Sequence, residues 1–211
     1  MREHTELFEP TKKSINIVIV ALTVIAFFVM QFWEKNSTDG VFYGHTTQFL
    51  LEHGALYAPG VRNGEWYRLV THLFLHGDIM HLGNNMLILF CLGNALEHYL
   101  GKFSYAGIYF FGGILAGLGS VVYNTDNTVS VGASGAVFGV VGAMAWLVLK
   151  NKGRLPGFTG PRMLIFVLMS VYAGFADQGV DNAAHIAGLI AGFLLAILIY
   201  RKPEAETEVV P

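Results

Sequence analysis

The chain of 211 residues has a single cysteine, Cys91, so an intramolecular disulfide is excluded. Cys91 lies in an apolar run and is expected to be a buried packing residue. Charge is also scarce: 13% of residues are charged, against about a quarter in an ordinary soluble domain. There is no basic tract, which removes nucleic acid as an expected partner, and the net charge of −2 selects no other. Residues 1–13 lack the early hydrophobic core and small-residue cleavage site of a signal peptide, so the first apolar run is expected to be retained. His72 and His76 have a zinc-compatible spacing. However, Gly77-Asp78 marks a helix start after them and no acidic or cysteine partner is close, so neither a metal nor a cofactor is expected. A G-x-S-x-G nucleophile elbow is absent, because position 136 is alanine and no strand precedes it.

What is present is apolar and arranged in blocks. The sequence is 54% hydrophobic, with a mean hydropathy of +0.51. Uncharged runs cover Ser14–Trp33, Ile79–Leu96, Phe103–Tyr123, Thr128–Leu149, Met163–Ala176 and Asn182–Tyr200. A bilayer core takes about 20 apolar residues per helix. Only the fifth run is short, unless it extends past Asp177 to Val180. The fold class expected is an all-α polytopic membrane protein of six spans. Residues 1–13 form a polar segment, 14–200 the helical domain, and 201–211 an acidic tail expected to be disordered. Between the first two spans, the stretch Glu34 to Thr71 is too polar to cross and too aromatic for a free linker. It reads as a structured loop with short amphipathic helices in the interface. His45, His53, His4 and His98 fall in loops or at helix ends, where solvated or interfacial roles are expected.

Six spans put Arg2, Lys12, Lys13, Lys102, Lys150, Lys152, Arg154, Arg162, Arg201 and Lys202 on one side, leaving Lys35, Arg62 and Arg68 on the other. By the positive-inside rule both termini are cytoplasmic. The aromatic loop and Ser134 then face outward.

Polar groups inside spans are expensive and point to function. His81, Asn84, Asn85, Asn94, Ser134 and His185 stand out. Ser134 precedes Lys150 by 16 residues, His185 precedes Arg201 by 16, and Asn85 precedes Lys102 by 17. At a 1.5 Å rise, all three lie about 24–25 Å above the cytoplasmic face. Small residues indicate that two of the helices meet. Gly135, Gly139 and Ala143 make one i, i+4, i+8 stripe; Ala184, Gly188, Gly192 and Ala196 make another. Such faces allow close approach in lipid. Ser134 alone is more often helix glue. Next to His185 it has a base, which a weak nucleophile requires. His81 and Asn85 share a helix face and, with the Ser134 N–H, are suitable donors to a developing oxyanion. With no acidic residue at this depth, a dyad is expected rather than a triad.

The chain resembles the rhomboid intramembrane serine proteases. The residues carrying the resemblance are Trp66 and Arg68, then His76, His81 and Asn85, then Gly132-Ala-Ser-Gly135 and His185-Ile-Ala-Gly188. It extends from the first span to Tyr200. It implies a rhomboid-like bundle of six transmembrane helices with a large outer loop between helices 1 and 2. It further implies Ser134 as nucleophile, His185 as general base, and Asn85 and His81 at the oxyanion site. Gly132 would keep the approach to Ser134 open, Phe138 would pack on His185, and Glu97 would occupy a structural acidic position. The expected partners are single-span membrane proteins and the lipid bilayer, and the expected location is a bacterial plasma membrane. A rhomboid-like pseudoprotease that binds membrane clients without cutting is the alternative. A small transporter ranks last, since the inverted symmetry of that class is missing.

Overall fold

The computed structural model describes residues 14–34, 44–176 and 179–200. Lys12-Lys13, Lys35, Tyr43, Asp177, Arg201-Lys202 and the acidic tail lie outside the described residues. Helix α1 spans Ile15–Trp33. The aromatic loop follows, with short helices α2 (Thr47–Glu52), α3 (Ala58–Arg62) and α4 (Arg68–Thr71), and strand β1 (Leu56–Tyr57). Next come α5 (Ile79–Ile88), a π-helical turn at Leu89–Gly93 and α6 (Asn94–Leu100), which together make one continuous rod. Helix α7 is Lys102–Tyr123, strand β2 is Val129–Ser130 and α8 is Ser134–Lys150. Strands β3 (Arg154–Leu155) and β4 (Phe158–Thr159) form a small hairpin before α9 (Gly160–Ala176) and α10 (Asn182–Ile199).

Local chemistry sets these boundaries. Ser14, Thr46, Asp78 and Asp181 are side-chain N-caps, each satisfying backbone N–H groups that the first turn leaves unpaired. Gly101, at φ 80°, makes the sharp turn between α6 and α7, a left-handed conformation that glycine adopts without Cβ strain. Four helical segments are long and apolar enough to cross a membrane: Ile15–Trp33, Ile79–Leu100, Lys102–Tyr123 and Asn182–Ile199. The apolar helices α8 and α9 are shorter, at 17 residues each.

Helix α8 is the axis of the bundle and is buried on nearly every face. Its close neighbours are α10 and α7, and small residues make that possible. A Cβ on Gly188 would collide with the Gly135 carbonyl oxygen and lie 3.3 Å from the Ala116 Cβ. A Cβ on Gly139 would lie 3.4 Å from the Gly112 Cα. The two stripes read from the sequence therefore face each other. A third small-residue face, on α7, joins them through Gly112, Gly113 and Ala116. Helix α9 differs, burying only Met163 and Gly174. Leu164, Ile165, Leu168, Met169, Tyr172 and Phe175 are exposed around it. An apolar surface of this extent, repeated on α1 by Leu22, Ile25 and Phe28, belongs in lipid.

A buried polar network ties α1 to the rod. The Glu97 carboxylate accepts from Ser14 Oγ at 2.7 Å and from the N–H groups of Ile15 and Asn16, each at 2.9 Å. Asn16 Nδ2 donates to Asn94 Oδ1 at 2.7 Å and to the Leu89 carbonyl at 2.8 Å. Tyr105 donates to Asn16 Oδ1 at 2.5 Å. The π-turn begins at Leu89, and a π-turn releases carbonyls from the regular ladder; Asn16 takes up one of them. Asn84, in contrast, is exposed, and Cys91 is only half-buried, because the rod turns both away from α8. His45 is also unlike its expectation: it is buried and paired through Nδ1 with Glu34 at 2.6 Å.

Glu97 carries three bonds to the start of α1, and a hydrogen bond to a charged group contributes about 1.5–3 kcal/mol. Glu97→Ala is therefore expected to lower unfolding free energy by about 3 kcal/mol or more, measured by unfolding in detergent.

Candidate active site

Ser134 is the first residue of α8 and is half-buried. The turn that presents it is fixed from the loop side. Gly132 N–H donates to the His72 carbonyl at 2.9 Å, and Ala133 N–H donates to His76 Nε2 at 3.4 Å. Strand β2 pairs antiparallel with β1, Leu56 opposite Ser130 and Tyr57 opposite Val129. The aromatic loop thus holds the approach to Ser134 in place. Arg68 stabilises that loop from within, donating to the carbonyls of Leu51 at 2.9 Å and Ala55 at 2.7 Å, and pairing with Glu65.

Gly132 has φ 116°, a conformation that L side chains rarely adopt. A Cβ there would lie 2.7 Å from both Cε1 and Nε2 of His81 and 3.7 Å from Asn85 Nδ2. His81 and Asn85 therefore flank the turn that delivers Ser134. Asn85 is buried and donates to the His81 carbonyl at 3.1 Å. A primary amide carries a second N–H beyond that bond.

His185 lies in the first turn of α10, and its ring stacks on Phe138 with centroids 4.2 Å apart and planes 15° from parallel. Phe138 is one turn beyond Ser134. The residues next in sequence also meet: a Cβ on Gly135 would lie 4.0 Å from the Ala184 Cβ. The structure thus brings His185 against the first turn of α8, and brings His81 and Asn85 against the loop just before it. His185 Nδ1 is buried with no hydrogen-bond partner among the described residues. Asp181, one turn earlier, spends its carboxylate elsewhere: on Ser130, Asn124 and the Ala184 N–H.

From the sequence, His72 and His76 make an unconvincing zinc pair, and His76, one of the residues of the family resemblance, is better read as a loop anchor. The structure gives each a separate task. His72 Nδ1 meets the Arg68 carbonyl at 2.7 Å, while its own carbonyl receives Gly132. Burial pushes the His76 pKa down to about 3, helped by nearby His81, and burial pushes His72 down to about 4. A neutral His76 has a lone pair for Ala133 N–H, which an imidazolium lacks.

Buried small-residue helix packing, exposed apolar surface and membrane-length helices define a multi-pass membrane protein. Comparison with known proteins adds the family. A Rhomboid domain profile matches residues 63–202. Rhomboid protease GluP of Bacillus subtilis is 33% identical over 190 residues, 90% of this chain and 36% of that protein. Putative rhomboid protease YdcA of the same organism is 38% identical over 149 residues, 70% of this chain and 74% of that protein. RHOMBOID-like protein 5 of Arabidopsis thaliana is 32% identical over 79% of this chain and 54% of its own length. The chain thus spans about a third of GluP and about half of the plant protein. It belongs to the rhomboid family, and of these relatives GluP is named as a rhomboid protease and YdcA as a putative one.

Two outcomes check this geometry. Gly188→Leu is expected to force α10 away from α8 and lower reactivity at Ser134 by roughly 100-fold, the scale of a 1 Å misplacement; full reactivity in that variant would refute the packing argument. For His76, the unfolded side chain titrates near 6.5 and the folded one near 3. Between those values the unfolded chain binds more protons, so stability rises with pH there and is lost as pH falls. A plot of stability against pH should be flatter over that window in His76→Gln than in wild type.

Proposed function

We propose that the chain is an intramembrane serine endopeptidase, with Ser134 as nucleophile and His185 as general base. The observation that carries this reading is the His185 ring stacked on Phe138 at 4.2 Å, over the helix turn that begins at Ser134. Ser134 Oγ attacks the scissile carbonyl as His185 takes its proton. The tetrahedral oxyanion is met by the Asn85 amide, by His81 and by the Ser134 N–H, which lies in a first helical turn where N–H groups lack intrahelical partners. His185 then gives its proton to the leaving amine, and the acyl-enzyme forms. Water, activated by His185, attacks the ester, and Ser134 is regenerated. No step calls for a metal or a cofactor.

The domain doing this runs from 14 to 200 as six spans. Both termini are cytoplasmic and the aromatic loop faces outward, in a cell membrane. Substrates are single-span membrane proteins cut near the outer face, because Ser134 begins its helix at that end. Helix α9, which buries only Met163 and Gly174, offers the least obstructed way in from lipid.

Purified protein with a labelled transmembrane substrate tests the reading. Ser134→Ala and His185→Ala should each abolish cleavage, and a fluorophosphonate probe should label wild type but not Ser134→Ala. Cleavage at wild-type rate in either variant refutes the dyad. Client binding with neither labelling nor cleavage favours a rhomboid-like pseudoprotease.

A further inference from the structure

The Ser134 turn and the His185 helix are joined at one further point, a carboxylate that touches neither residue. Asp181 Oδ2 accepts from Ser130 Oγ at 2.5 Å. Its Oδ1 accepts from Asn124 Nδ2 at 2.8 Å and from the Ala184 N–H at 2.9 Å. Those donors come from three elements: strand β2, the C-cap of α7 and the first turn of α10. Ser120, buried on α7, closes the cluster, lying 3.3 Å from Ser130 Oγ and accepting from Asn124 at 3.1 Å. Ser130 precedes Ser134 by four residues, and Asp181 precedes His185 by the same interval. The charge-assisted bond between Ser130 and Asp181 therefore joins the two segments at points equidistant in sequence from the nucleophile and the base.

We infer that Asp181 is a positioning residue, setting the spacing of Ser134 and His185 by clamping β2 to the N-terminus of α10. The inference rests on the protease reading. Helix capping alone does not account for the arrangement. A cap needs one side-chain oxygen directed at its own helix, and the Ala184 bond supplies that. The bonds to Ser130 and Asn124 run to partners 51 and 57 residues away and add nothing to capping. Burial raises the Asp181 pKa, but the hydroxyl, amide and N–H donors around it outweigh burial and hold it below the usual carboxylate value. The carboxylate is therefore ionised at neutral pH and acts as an acceptor at both oxygens.

Capping and clamping separate by side-chain length. Asp181→Ser keeps a good N-cap but is too short to reach Ser130 as well. Asp181→Asn keeps both, accepting through its oxygen and donating through its amide nitrogen to Ser130 Oγ. Cleavage of a transmembrane substrate, fluorophosphonate labelling of Ser134 and the melting temperature in detergent are measured for Asp181→Ser, Asp181→Asn, Ser130→Ala and the Ser130→Ala/Asp181→Ser double variant. Asp181→Ser is expected to lower kcat and labelling roughly 10–100-fold with KM and melting temperature near wild type. Asp181→Asn should recover most of that loss. The double variant should be no worse than Asp181→Ser, because both substitutions break one link. Wild-type kcat in Asp181→Ser, or additive losses in the double variant, overturns the inference while leaving the dyad standing. If the Asp181 variants do not fold, Ser130→Ala alone decides, and an unchanged kcat overturns it. A wild-type protein that neither cleaves nor labels overturns the protease reading and this inference together.

Discussion

Everything in this structure depends on how closely α8 and α10 approach. In lipid no hydrophobic gain drives two apolar helices together, so contact has to come from packing itself. Backbone-to-backbone contact at Gly135, Gly139, Gly188 and Gly192 provides it. Ser134 and Gly135 are adjacent, as are Ala184 and His185, so the proposed dyad sits at the rim of this seam. A longer side chain anywhere in the seam would separate a hydroxyl from an imidazole without touching either. Glycine here is selected by distance rather than by backbone freedom. Gly132 is the exception, since it needs both a positive φ and an open path past His81.

The seam aligns the helices, while polar groups fix the ends. At the Ser134 end, the loop contributes His72, His76 and the β1–β2 pair, and Asp181 closes the far side. At the other end, Glu97 and Asn16 bind α1 to the rod and take up the carbonyl at Leu89. Helix α9 shares in neither arrangement. Its neighbours hold it mainly through Met163 and Gly174, and local stability follows buried contact. A tightly packed centre with one loosely held wall fits the proposed entry of a substrate from the side.

Much of this was legible in the sequence, and the limits have physical causes. Among the described residues, apolar runs separated by charges located the four membrane-length helices and the two shorter apolar ones, α8 and α9, since hydropathy is a local property. Gly77-Asp78 announced the cap of α5, and the two small-residue stripes announced the seam. The third face, on α7, was missed because Gly112, Gly113 and Ala116 are spread through a segment rich in glycine. The π-turn at Leu89–Gly93 depends on Asn16, a side chain from another helix. The β1–β2 pair joins segments separated by a whole span pair. His45 was expected to be wet because histidine in a loop usually is; Glu34 and the rings of Phe27 and Phe49 bury it. Each miss is a contact between distant residues, which local pattern does not encode.

Among the described residues, Nδ1 of His185 has no hydrogen-bond partner. Triads place a carboxylate there, which orients the imidazole and stabilises its charged form. Within a membrane protein such a carboxylate would be a second buried charge beside a first, costly unless fully paired. Here orientation comes from packing, with Phe138 stacked on one face of the ring and Gly174 leaving room beside Nδ1, where a Cβ would lie 3.5 Å away. The nearest carboxylate in sequence is held one turn off, its oxygens committed to Ser130, Asn124 and Ala184. For the proposed dyad, the part of a triad's third member is thus divided between the Phe138 ring, stacked on His185, and Asp181, which clamps the start of α10 to β2.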